Sequence, residues 1–248
     1  MTFTTRFKAG AAAIVAASAL AVAVPAYAQT GPPPTDPAAP AKLADLKARA
    51  DQAVKDRLTQ IDTLTGRLNG AGADCGQNSD VAGQLANDKA GLQSLDATIQ
   101  AETDAGKARI EYRQIFTDFR IYWLQTPKTR DVVACDRGSK ADTTLSTLKQ
   151  KIQGRIDEAK AKGYDVSAAQ AAVDDMGAKL TDATTNANQA SSSVADLQPD
   201  KGDPSVLSSN FAALQKGRQD LHTAWTDLQT ARHDARTAID DLKNLHKS

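Results

Sequence analysis

The sequence predicts an all-α fold: an elongated antiparallel helical bundle with coiled-coil-like long helices. Three observations predict it. Beyond Pro40, apolar residues recur at three- and four-residue steps along most of the chain. Near the C-terminus, Leu207, Leu214, Leu221, Leu228, Ala235 and Leu242 stand seven apart. Aromatic residues are scarce, with eight beyond residue 28, and that suits narrow seams between helices better than a thick core.

The first 28 residues read as a secretory signal. Arg6 and Lys8 give a basic start, Ala9 to Val24 is apolar and small, and Ala26-Tyr27-Ala28 is a cleavage site of the A-x-A kind. The apolar run, about 16 residues, is short of the roughly 20 that span a bilayer. Gln29 follows where a lipoprotein would need Cys. Residues 29–41 form a Pro-rich spacer around GPPPTDPAAP. The helical domain is expected over 42–248, with lobes at 42–136 and 137–248.

Without the signal the chain has 28 basic and 30 acidic residues. That balance argues against a nucleic-acid surface and against strong anchoring to anionic lipid. No later apolar run approaches spanning length, so no transmembrane segment is expected after cleavage, and the expected place is outside the cell or in the envelope.

The first helix is expected from about Lys42 to Asn69, with Leu46, Val54, Ile61 and Leu68 on one face. A Gly/Asn loop follows, and Ser79 is expected to cap the second helix, which carries Val81, Leu85, Leu92, Leu95 and Ile99. The seam then slips at Glu102-Thr103-Asp104-Ala105-Gly106, where Thr103 or Asp104 can cap a new helix, so a kink or reversal is expected. The next seam is Ala105, Ala108, Tyr112, Ile115, Phe119 and Tyr122. Pro127 bars an undisturbed helix past Thr126. A short β-hairpin or extended passage is the alternative over residues 119–135, which are rich in β-branched and aromatic types. After a loop at Cys135–Ser139, helices are expected from about Lys140 to Lys162, from Ser167 as a cap to Leu197, and, past the linker Gln198 to Pro204, through the final heptads. There Phe211, Arg218, Trp225, Arg232 and Ile239 take the a positions and the Leu series takes d.

Arg218 and Arg232 inside an apolar seam read as register control, met by acids on a facing helix, in preference to an anion site. His222, His233 and His246 lack metal-ligand spacing, and the loops around Cys75 and Lys201 lack the alternation of a calcium loop. No nucleophile elbow and no phosphate loop occurs, so no catalytic residue, metal or cofactor is expected.

Two cysteines in an exported chain read most simply as a Cys75–Cys135 disulfide, against an intermolecular bridge or free thiols. An unbroken helix from Asp80 to Leu124 would be about 67 Å long. The arms to the two cysteines reach only about 54 Å together, so the ring requires a reversal near Thr103–Gly106 or an extended return near Asp118. The stretch Glu111–Arg130 holds five of the eight aromatics. It reads as a packed joint, with Arg113, Arg120, Tyr122, Lys128 and Arg130 on its rim as the expected contact surface.

Arg113, Ile115, Asp118-Phe119-Arg120-Ile121-Tyr122, Leu124, Pro127-Lys128 and Ala134-Cys135-Asp136 together resemble a motif of uncharacterised exported helical proteins of actinobacteria. The resemblance implies a cell-envelope or extracellular place and supplies no activity. The expected function is non-enzymatic contact with a protein or cell-wall polymer partner. The alternatives are an envelope hydrolase using dispersed residues near Arg113, Asp118, Arg120 and Tyr122, or a helical hairpin docking a membrane complex.

Overall fold

The structure, a computed structural model, describes residues 43–72 and 74–245; the signal, the spacer and His246 lie outside the described residues. Six α-helices occur among them: α1 (Leu43–Ala71), α2 (Asn78–Ala101), α3 (Ala105–Thr117), α4 (Thr126–Ala161), α5 (Ser167–Ala195) and α6 (Pro204–Asn244). A π-helical turn, Ile121–Gln125, leads into α4. No strand occurs among the described residues.

The reversal expected at the seam slip is present. Asp104 ends the break by accepting hydrogen bonds from the amides of Gly106 and Lys107, at 2.7 and 2.9 Å. α3 then runs back along α2 until Phe119 lies against Gly91, where an added Cβ would stand 2.6 Å from the ring. Two other caps differ from expectation. Ser79 lies within the first turn of α2, whose cap residue Gln77 makes no side-chain bond. At α5, Asp165 accepts from the Ser167 amide at 3.0 Å, so the acid before Ser167 does the capping.

The alternative of a hairpin or extended passage over residues 119–135 is overturned, as is the loop at Cys135–Ser139. Both fall in the π turn and an unbroken α4. Pro127 explains the form. It has no N–H, and its ring would crowd the carbonyl four residues back. A π turn moves the bonding one residue further, so the Thr126 amide reaches the Ile121 carbonyl. The chain enters this turn through Arg120, held in the left-handed region at φ 47°.

Two apolar cores result. α1, α2 and α3 close the first around Ile61, Leu85, Leu92 and Ile115, with Leu124 and Val132 from the π turn and α4. The rest of α4 packs with α5 and α6 around Ile156, Val173, Met176 and Leu228. Cys135, Ala187, Ala190, Leu221 and Ala224 form a smaller cluster.

In α6 the d positions Leu214, Leu221, Leu228 and Ala235 are buried as expected, with Leu207 and Leu242 half-buried, but of the a positions only Ile239 packs, half-buried, against a core. The second buried row is Gly217, Ala224, Ala231 and Ala238, four residues before the next d position. Phe211 is 58 % and Trp225 39 % exposed, and Arg218 and Arg232 are exposed. The small row decides this: it lets α5, itself lined by Ala183, Ala187 and Ala190, approach closely, which turns the bulky a residues outward.

Candidate functional site

The segment from Glu111 to Asp136 is a polar joint between helices. At its centre Arg120 makes a two-pronged ion pair with Asp200, Nε to Oδ2 at 2.6 Å and Nη2 to Oδ1 at 2.9 Å. Asp200 is buried, and Oδ1 also accepts from the Gly202 amide at 2.7 Å. Burial pushes its carboxyl up, but Arg120 and the Gly202 amide outweigh that and hold it below the usual carboxylate range. Lys201 donates its amide to the Thr117 carbonyl, so the α5–α6 linker is fastened to the end of α3 as well as to Arg120.

One turn on, Gln125 donates to Asp88 of α2 at 2.7 Å. Lys128, fully buried, donates to the Gln84 side chain and, at 2.8 Å, to the Leu197 carbonyl. Gln84 in turn donates to the Ala195 carbonyl at 3.0 Å, so one chain of bonds satisfies the end of α5. Burial sets the electrostatics of this layer. It lifts the Asp88 carboxyl to about 6 and lowers the Lys128 amine to about 8. Asp131, one turn further along α4, is lifted by burial to about 7 despite the charges of Arg218 and Arg130. Gly217 of α6 leaves room for it: a Cβ there would be 3.4 Å from Asp131 Oδ2.

The disulfide between Cys75 and Cys135 is present, with Cα atoms 6.1 Å apart. Asp136 supports it by accepting from the Cys75 amide at 2.9 Å. The aromatics Tyr112, Phe116, Phe119 and Trp123 pack, half-buried, against the first core. The Arg57 guanidinium, donating to the Ala53 carbonyl at 2.8 Å, lies 4.3 Å from the Phe116 ring and 5.3 Å from the Tyr122 ring. Tyr112 meets Phe116 edge-on at 5.2 Å.

The five residues expected as one contact surface are therefore divided. Arg113 and Arg130 are exposed, on α3 and α4, and Tyr122 is 42 % exposed above Arg57. Lys128 is not on the rim but in the interior, and Arg120 is turned inward to Asp200. A side chain with a long apolar stem and one terminal charge serves a buried carbonyl as readily as a solvated surface, so residue type alone did not separate the two. The partners Gln84, Asp88 and Asp200 were missed. Asp200 is separated from Arg120 by 80 positions, and Asp-Lys-Gly-Asp reads in the sequence as part of a linker and as a rejected cation loop.

Chemically, this joint can hold helices together and take up protons near neutrality. Among the described residues no group of His, Cys, Asp and Glu is placed to hold a metal ion. A shallow recess of about 240 Å³ between the start of α5 and the end of α6, lined by Val166, Ala169, Asp241 and Leu245, is built from other elements. No described helix is long and apolar enough to cross a membrane. The chain matches no protein-family model, no curated protein and no solved structure.

Proposed function

We propose that this is an exported, non-enzymatic helical protein that acts through surface contact in the cell envelope or outside the cell. One observation carries the reading. Two of the polar side chains expected on the contact surface, Arg120 and Lys128, bind other parts of the chain, as does Gln125, so the segment works as a joint. The signal-like N-terminus and the resemblance of residues 113–136 to a motif of exported actinobacterial proteins support the same reading. Pull-down of the purified protein with wall fractions tests it: retention by a polymer or protein partner is expected. Absence of any retention overturns contact as the function. Turnover of wall or peptide substrates that disappears in Asp118→Asn overturns the non-enzymatic part.

A further inference from the structure

α6 sorts its charges by flank. Its acids stand at Asp220, Asp227, Asp234 and Asp241, one per heptad, apart from Asp240. This acidic row lies towards α5, where Asp227 meets Lys179 at 3.3 Å and Asn186 at 3.5 Å. The opposite flank consists of position 211 with its heptad repeats to 239 and position 215 with its repeats to 243. It carries no Asp or Glu and holds four cations, Arg218, Arg232, Arg236 and Lys243. All four are exposed, as are Phe211 and Trp225, and Lys243 is paired with Asp240 at 3.0 Å. The near-zero charge of the whole chain hides this separation.

We infer that this outer flank of α6 is a docking strip for an extended acidic polysaccharide; the inference rests on the contact role proposed above and names its partner class. Charge complementarity calls for an anion and disfavours a second copy, since pairing two such strips would set Arg against Arg. The strip runs about 48 Å, with cationic and aromatic groups repeating every 10.5 Å or so, a layout that suits a repetitive linear chain. Trp225 is half-sunk in a crevice with Gly138 and Asp142 of α4, and so offers a face for stacking on a sugar ring but cannot insert into a bilayer. Asp142 faces the strip from α4 beside Trp225; burial raises its carboxyl while the bond from Thr184 lowers it. Arg218 acts on Asp131 inside the fold, so Arg232 and Arg236 carry the recognition. Gln215 and Gln229, exposed on the same flank, supply amides for hydroxyl groups.

Polygalacturonate is the probe, with dextran as the neutral control and phosphatidylglycerol vesicles as the lipid control. The protein purified from expressing cells is expected to bind polygalacturonate, more weakly as salt rises, and not dextran. Arg232→Gln with Arg236→Gln should weaken binding about tenfold or more while helicity stays unchanged. Lys160→Gln with Lys162→Gln, exposed at the end of α4, should leave it unchanged. Trp225→Tyr should retain binding that Trp225→Ala loses. Equal binding to dextran, preference for the vesicles, no binding, or an unaffected double Arg variant would each overturn the strip. If the double Arg variant still associates with wall fractions, the strip fails while the contact role stands. If the unaltered protein associates with no wall fraction, the contact role itself fails.

Discussion

Asp131 shows at the residue scale how burial converts a common side chain into a pH-dependent one. Its carboxyl sits near 7 in the fold, against the ordinary 3.8, because the protein withholds water from its charged form. Between these two values the unfolded chain has released the proton and the folded chain has kept it. Stability therefore falls as pH rises from about 4 to about 7, and levels off above that. Asp88 acts in the same direction up to about 6. Asp200 acts oppositely: its carboxyl is held low, so its contribution is present above the ordinary value and lost under strong acid. We expect the melting temperature to be higher at pH 5 than at pH 8. Asp131→Asn should flatten that slope, since the Asp131 shift represents on the order of 2–4 kcal/mol. Parallel slopes in the variant and the parent, measured by thermal unfolding, would show that Asp131 is not the source.

Two glycines of α2 make a sharper residue-scale comparison. Gly91 lies under the Phe119 ring, whereas a Cβ at Gly83 meets nothing within 4 Å. Gly83→Ala should stabilise by about 0.5–1 kcal/mol, because alanine loses less backbone freedom in a helix interior. Gly91→Ala should destabilise by about 1–3 kcal/mol, because a ring edge cannot swing aside as a flexible chain can. Denaturant midpoints for the pair decide this, and equal signs would mean that Phe119 does not pack there.

At the element scale, α6 was legible in half its register. The Leu series at d was readable from spacing and is buried. The a row was not, because Trp and Phe look like seam residues, and only the close approach of an Ala-lined α5 makes the small row the better interior. Leu228→Ala should cost about 2–5 kcal/mol, while Thr223→Ala, fully outside, should stay within about 0.5 kcal/mol. Similar losses for both, by chemical unfolding, would contradict the buried row. The π turn was legible only as a disturbance. Pro127 announces that the regular ladder must fail, but whether it fails by extension or by a wider turn depends on Asp200, Gln84 and Asp88, which lie far away in sequence. The reversal at Asp104 was readable because its cause is local: a seam that changes phase beside a residue able to cap.

For the whole molecule, the disulfide is the longest-range feature that sequence reasoning reached, through the length of a helix that could not be bridged. It closes a loop of 60 residues. Cys75→Ser with Cys135→Ser should therefore destabilise the fold by around 4 kcal/mol in the chain-entropy account. A linked Cys75–Cys135 peptide is expected in non-reducing mass spectrometry of the monomer. Two free thiols, or a link between chains, would remove the clamp from the fold.

α4 has a further consequence for how the protein comes apart. Its first turns complete one apolar core through Val132 and Val133, and its later turns complete the other through Ile152 and Ile156. A helix shared in this way cannot melt from one core without stripping a wall from the other. The two cores should thus lose structure together, in a single calorimetric transition whose measured enthalpy equals the van't Hoff value. Replacing Arg137, exposed on α4 between Val133 and Ile152, by proline would uncouple them, and the one heat-absorption peak should then split into two.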